Sequence, residues 1–565
     1  MPIKLRLTNV FSLQATNPMK RFTRLSTVYA LLGLAQSLST FKWPNIVLSY
    51  ADRQLYEGSF DLLASGCPSR DNSTIPAQWL RLVVHLAYYD MATHNVDDGT
   101  GGLDGSIQFE LDRPQNVGEG MLASLRDFAG METQAPFFGM ADMIALGTVL
   151  AIAGCGGPII PFSAGRIDAT GSGPATAPEP QQDLATHTEL FRSQGFTPTE
   201  MIALVACGHT LGGVRQVDFP QIVRDNTTVV QTFDSTPAFD TAIVSEYLQN
   251  TTQNPLVVGP NITTRSDFRI FSSDGNATMQ SLLSTDNFNK TCASLFERMI
   301  NTVPANVKLT DPITEPFQYL VTDPMFAIHN GSLSMTTALR VLNDNPHRTV
   351  TLFWTDRQGS FCPPSIGCSI QSDLTQDGFQ LSSIGPKQGF TASRYSFNAT
   401  INLPTSISKF WFEVNENDGS KNPVTIVNNG GGGFVIEQDS LFVDIGRSKT
   451  VVIVDSESHG ILEEFTEIVV AIRSDPDAHS NVSVTTFIPS NGFNGGPPFI
   501  PTINTTKLQL DTTNAHEAGY VFLKANISVV TSFLDLTADQ VGSGVVTAKD
   551  FDVHAAPLPF IFLTA

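Results

Sequence analysis

The chain has 565 residues, is 41% hydrophobic and 15% charged, and carries a net charge of −21. That length exceeds what one hydrophobic core supports and points to two or more domains. The composition is that of a globular protein, and the acidity argues against nucleic acid or an anionic membrane surface as a partner.

The N-terminus reads as an export signal behind a leader. Lys20, Arg21 and Arg24 form a basic region, and Ser26 to Leu38 is small and apolar but too short and interrupted to span a membrane. A buried helix is the competing reading. The pattern starts at Met19, so residues 1–18 read as a non-native leader and 19–42 as a signal peptide. Eleven Asn-x-Ser/Thr sites, from Asn72 to Asn526, favour a secreted, extracellular glycoprotein. No later stretch has the roughly twenty apolar residues of a membrane span. Six cysteines fit an oxidising compartment. Cys362 and Cys368 can close a small loop, Cys207 reads as a buried free thiol, and Cys292 has no evident partner; connectivity does not follow from sequence.

Residues from about 50 to 340 read as mostly helical. Ala141 to Ile152 has the small, apolar character of a helix buried in a bundle, and Gly154-Cys155-Gly156-Gly157-Pro158 stops it. Phe162 to Asp168 and Pro178-Glu179-Pro180 read as loops. Thr197 to His209 reads as a helix with a sharp start: Thr197 caps, Pro198 takes the first position and Glu200 completes a capping box. Met201, Leu204, Val205, Gly208 and His209 share one face. His209 there can offer a ring nitrogen to something flat and bulky such as a metal macrocycle, or be a core histidine satisfied by a carbonyl. From about 345 the pattern turns to short β-branched and aromatic runs between Gly, Asn and Asp turns, as in an all-β sandwich. Asn428 to Gly433 reads as an exposed loop; no Lys-Ser/Thr follows to make it a phosphate cradle.

The run Glu200 to Leu211 closely resembles the proximal haem-ligand signature of the plant-type haem peroxidases. The resemblance covers about residues 60 to 330 and is closest to secreted fungal, ligninolytic-like peroxidases with a β-rich extension. It implies a multidomain chain: a mainly α-helical haem-peroxidase fold at 50–340, two helical halves around haem b, then an all-β, sandwich-like C-terminal domain at 345–565. It implies His209 as the iron ligand, and Asp267, in Arg265-Ser266-Asp267-Phe268, as the carboxylate behind it; Asp274 competes but reads better as a turn. It pairs Cys67 with Cys155. It places Phe233 where a relative carries a radical-forming tryptophan, which argues against a protein radical.

On the distal side the family sets Arg-x-x-x-His on one helix, the histidine as proton carrier and the arginine against developing charge. Arg81-Leu-Val-Val-His85 has that spacing. Asp should follow the histidine directly, yet here Leu86-Ala87-Tyr88-Tyr89 intervenes before Asp90. Either the helix bulges after His85, the preferred reading, or it follows the downstream register and Tyr89 stands where the base should be. Asn116, within Phe109 to Gly118, matches the residue that accepts a hydrogen bond from the distal histidine. The secreted branch also binds calcium. Asp90, Gly102, Asp104 and Ser106 match its distal ligands; Thr210, Asp234, Thr236 and Asp240 match the proximal ones, in a run one residue short.

The resemblance thus implies an enzyme that reduces hydrogen peroxide and oxidises organic, phenolic-type donors by one-electron steps. The alternative is a secreted haem-binding protein with impaired turnover, acting through its β domain on surfaces or polysaccharide.

Overall fold

The computed structural model describes residues 43, 45–57, 84–116, 118–130, 134–358, 368–372, 374–379, 382, 384–458, 460–473, 481–490, 496–513, 516–517, 519–540 and 544–564. The leader and signal peptide expected at 1–42, and Arg81, Cys67 and Cys362, lie outside these residues.

Helices come first. They are α1 (Ile46–Tyr56), α2 (84–91), α3 (Glu119–Gly130), α4 (Met140–Gly154), α5 (Leu184–Ser193), α6 (Pro198–His209), α7 (Ala242–Leu248), α8 (Pro255–Val258), α9 (Ser266–Phe271), α10 (Ala277–Ser281) and α11 (Thr285–Asn301). α4 is buried from Met140 to Ala153 and forms the centre of the helical core. Its start is fixed by Asp168, whose carboxylate accepts from the Met140 and Ala141 amides at 2.8 and 2.9 Å. Arg166, fully buried, pairs with Asp142 of α4 at 2.8 Å and donates to the Ile300 carbonyl at the end of α11. The loop read as joining two halves therefore ties α4 to α11.

Strands make up most of the described residues that follow. The change from helix to strand falls between Asn301 and Tyr319, inside the span assigned to the helical domain. Tyr319–His329 and Ser332–Leu342 form a long hairpin; its second strand alternates from Ser332 to Thr336 and is buried continuously only from Thr337 to Leu342. The β region is also not one sandwich. Tyr319–His329, Ser332–Leu342, Ala392–Ile401 and Leu374–Phe379 form one antiparallel sheet, and Val424–Val427, Lys409–Asn415, Thr349–Thr355 and Ser369–Gln371 a second that packs on it. Ile461–Arg473, Tyr520–Ile527 and Lys449–Val454 form the heart of a third, which faces a fourth built on Asn481–Ile488 and Phe533–Gln540. The third sheet joins both cores: Val469 and Ala471 point into the first sandwich, Ile468, Val470 and Ile472 into the second. That is why Ile468-Val469-Val470-Ala471-Ile472 is a continuous apolar run rather than an alternating one.

The helical and β parts are joined, not strung together. α1 lies on the outer face of the first sheet, where Arg340 and Arg394 stand opposite each other in register. Arg340, fully buried, meets Asp52 at 2.6 Å and Glu57 at 2.8 Å, and Arg394 meets Glu57 at 2.5 Å. Trp43 packs edge-on against Phe410 and Phe434 and donates its indole N–H to the Val435 carbonyl. The glycine-rich run is an exposed loop, and its Asn429 accepts from the Trp43 amide. Further along, the Phe499 amide donates to Gln108 and the Ser490 amide to Gln134.

Candidate active site

α6 starts as its sequence requires. The Thr197 hydroxyl accepts from the Glu200 amide, and the Glu200 carboxylate accepts from the Thr197 amide at 2.9 Å. Glu200 also meets Arg298 of α11 at 2.8 Å, and that hydrogen bond holds its carboxyl down at about 2. A second tie is the disulfide between Cys207 and Cys292, with Cα atoms 5.5 Å apart. This corrects the reading of Cys207 as a free thiol: a cysteine on α6 faces one on α11, 85 residues on, and local sequence carries no trace of that meeting. Cys155 and Cys368 are also disulfide-bonded.

The far end of α6 opens on a cavity of about 310 Å³, lined on this side by Leu204, Val205, Gly208 and His209. Those are four of the five residues of the stripe read from the sequence; Met201 does not line the cavity. A Cβ on Gly208 would meet nothing within 4 Å, so space stands open beside the histidine. His209 Nδ1 lies 2.7 Å from Asp267 Oδ2. A carboxylate only accepts, so Nδ1 carries the proton and Nε2 keeps the ring's lone pair. Asp267, in the first turn of α9, is itself held: Asn254 Nδ2 donates to the same oxygen at 2.7 Å, and the Ser266 hydroxyl to the other at 3.3 Å. Asn254 caps α8 with its side-chain oxygen Oδ1, which accepts from the Leu256 amide. Asn254 was missed in the sequence, though Asn-Pro at a helix start is a capping signal. Phe233 stacks on the His209 ring, centroids 4.1 Å apart and planes 16° apart. Asp274 accepts from the Thr278 amide and hydroxyl at the start of α10, as a turn residue does.

The other wall of the cavity is built by α2. Here the expected bulge after His85 is absent: residues 84–91 are continuous helix, and the Ala92 amide donates to the Tyr88 carbonyl. The register is set downstream. Asp90 is buried and accepts from the Gly105 and Ile107 amides at 2.7 and 2.9 Å, so the helix cannot slide past it. Tyr89 therefore stands directly before Asp90 and lines the cavity. Enclosure by protein, with Glu179 nearby, pushes its phenol up to about 12, so it stays protonated at neutral pH and is no base. His85 comes down one turn earlier, its ring centroid 5.5 Å from that of His209. Asn116 donates to the Glu110 carbonyl at 3.0 Å, but its own Oδ1 is buried with no donor against it. His187, also missed in the sequence, lines the cavity too; its Nε2 lies 2.9 Å from the Glu179 carbonyl, and burial lowers its pKa.

The residues fit a haem on one side. His209 offers a lone pair on a ring fixed by a carboxylate, beside an open, mainly apolar cavity. They do not fit the expected distal arrangement, because His85 crowds His209 and the slot before Asp90 holds a phenol.

The residues matched to calcium ligands hydrogen-bond to one another or to close neighbours. The Ser106 hydroxyl lies 3.5 Å from Asp90 Oδ1, the Ser106 amide donates to Asp104, and the Gly102 carbonyl accepts from Thr93. On the proximal side Thr210 donates to the Asp240 carbonyl and the Thr236 amide donates to Asp234. Among the described residues no group of three or more His, Cys, Asp or Glu could hold a metal ion, and no helix is long and apolar enough to cross a membrane.

The peroxidase family model matches residues 67–293. A WSC domain-containing protein of Arthroderma benhamiae is 34% identical over 422 residues, 70% of this chain and 55% of the other. Putative L-ascorbate peroxidase 6 of Arabidopsis thaliana is 35% identical over 140 residues, 23% of this chain and 40% of its own. The mitochondrial cytochrome c peroxidase of Yarrowia lipolytica is 29% identical over 168 residues, 28% of this chain and 46% of its own. The chain spans about half the length of the curated relatives it matches. With the histidine, carboxylate and cavity laid out as above, residues 67–293 are a peroxidase-family domain, of the plant-type haem peroxidase superfamily.

Proposed function

We propose that this is a secreted haem peroxidase that reduces hydrogen peroxide and oxidises organic donors, with His209 as the iron ligand. The observation that carries it is the 2.7 Å contact between His209 Nδ1 and Asp267 at the cavity wall. Haem b, when bound, supplies the iron at which peroxide is reduced. The chain's own work is to hold that ligand. Asp267 fixes the tautomer and makes the imidazole a stronger donor, Asn254 and Ser266 fix Asp267, and Phe233 keeps the ring from turning.

A second reading rests on the distal wall: a haem protein with slow turnover, acting through its β region on surfaces or polysaccharide. Tyr89 cannot accept a proton, and the Asn116 Oδ1 that would steer a distal imidazole has no donor. Purified full chain, loaded with haem, separates the two readings. Peroxide-dependent oxidation of a phenolic donor well above free haem supports the enzyme; stoichiometric haem with turnover no faster than free haem supports the binder. Protein that takes up no haem sinks both.

Secretion is supported by the disulfide, the sequons and the N-terminal pattern; N-terminal sequencing of exported protein should start near residue 43. Distal calcium is supported by two carboxylates, Asp90 and Asp104, whose protonated forms are favoured by burial. A divalent cation would relieve that burden, and chelation should then lower the melting temperature.

A further inference from the structure

We infer that His85 is a stopper on the haem site: its ring reaches from one wall of the cavity to the other, and a macrocycle seats on His209 only when that ring swings out. This rests on the haem reading above and concerns what regulates that site.

The reach of the side chain carries the argument. His209, Gly208 and Gly213 line one wall of the cavity, and Val84, His85 and Tyr89 of α2 line the other. A flat macrocycle keeps about 3.5 Å from the atoms on each of its faces, so walls with one between them stand about 7 Å apart. His85 leaves no such gap. A Cβ built on Gly212, three residues after His209, would stand 3.4 Å from His85 Cε1 and 3.7 Å from its Nδ1, so the ring packs on the wall that carries His209. The His85 ring centroid is also 5.5 Å from that of His209 and 6.1 Å from that of Phe233, the ring stacked on His209. The three rings and the Gly212 backbone form one packed group, and it fills space that a macrocycle on His209 would take.

His85 stands there because of the register of α2. The helix is unbroken from 84 to 91, and Asp90 is fixed by the Gly105 and Ile107 amides, so the backbone at His85 holds its place. The four residues between His85 and Asp90 set the ring one turn away from the position directly before Asp90. What can move is the side chain. His85 is only part buried, and rotation about its side-chain bonds takes the ring off Gly212 without unwinding a turn. Closed and open rotamers then divide the population, and the apparent affinity for haem falls by the open fraction.

The test is uptake of ferric haem by the purified full chain, followed by Soret absorbance in stopped flow and in equilibrium titration. In the wild type the uptake rate should level off as the haem concentration rises, because opening limits it. In His85→Ala the rate should stay proportional to haem over the same range, and affinity should be at least about tenfold higher, as expected if the ring closes the site nine-tenths of the time. Tyr88→Phe controls for a loosened helix: it removes the hydrogen bond from the Tyr88 hydroxyl to Gln194 and leaves the His85 contact alone, so its uptake should match the wild type. If His85→Ala loses its helical circular dichroism, His85→Ser takes its place. Wild-type uptake that is proportional throughout and unchanged in the folded His85 variant overturns the inference and leaves the haem reading intact. So does a Tyr88→Phe variant that gains as much as His85→Ala. Uptake by His85→Ala alone upholds the stopper and overturns the wild type as a haem enzyme. Folded wild type and His85 variant that both take up no haem, or full uptake by His209→Ala, overturn the haem reading itself.

Discussion

The chemistry of the site is concentrated in a few side chains, and each has its own test. His209 has a ring nitrogen fixed by a buried carboxylate and lies at the cavity wall. His209→Ala should abolish stoichiometric haem retention, read by absorbance after gel filtration. Asp267→Asn keeps the shape but removes the charge that Asn254 and Ser266 steer toward His209. Loss of such a partner costs about 10- to 100-fold in metal or ligand affinity. The iron reduction potential should also rise, because a less basic imidazole favours the ferric state less; spectroelectrochemical titration reads it. Asp127 offers a test of stability without chemistry. Burial raises its carboxyl to about 7, and its Oδ2 has no partner. A raised carboxylate pKa means the folded state binds more protons than the unfolded one between about 4 and 7, so this group's contribution to stability falls as pH rises through that window. Asp127→Asn should therefore raise the melting temperature at pH 8 and change it little at pH 4.

At the level of elements, α2 and α6 show opposite sides of sequence reading. α6 was legible because everything that defines it is local: a cap, a proline, a capping box and one apolar stripe. Thr197→Ala should cost about 1 kcal/mol, read by denaturant unfolding. α2 was not legible because two registers fit its residues equally well. The upstream match, Arg81 with His85, and the downstream match, Asp90 with Gly101, differ by four residues, one turn of helix. Only the amides of Gly105 and Ile107 on Asp90 decide for the second. The decision is testable by rebuilding the motif in that register. His85→Arg with Tyr89→His puts an arginine one turn before a histidine that directly precedes Asp90. Peroxide consumption should rise by about 10² to 10⁴ over the wild type, the usual value of a positioned proton carrier. No gain in a folded, haem-loaded double variant would mean that Tyr89 does not occupy the distal slot.

Taken whole, the molecule behaves as one body across its helical and β parts. The ion cluster of Asp52, Glu57, Arg340 and Arg394 lies between α1 and the first sheet, and Arg340 is fully buried in it. Removing one partner from such a cluster leaves an unpaired buried charge and costs about 3 to 5 kcal/mol. Arg340→Leu should therefore lower stability by about that amount, and calorimetry should show the loss in the transition that carries the helical part as well. A separate, unshifted helical transition would show that the two parts unfold independently.

The sequence by itself determined what is local. The capped helix ending in His209, the buried α4 with its glycine stop and the existence of a β-rich C-terminal region follow from periodicity, capping and turn chemistry within short windows, and the Asp267 element from its resemblance to the family's motif. The tertiary structure decided what depends on distant partners. Cys207 meets Cys292 across two helices, Asn254 reaches Asp267 from another element, and α1 packs on strands some 300 residues away. The β region divides into two sandwiches because the third sheet is buried on both faces, which erases the alternation that would have shown it. The place of His85 belongs to the same class. Its distance from His209 is set by where Asp90 is anchored, and an anchor made of backbone amides leaves no mark in the identity of the residues that provide it.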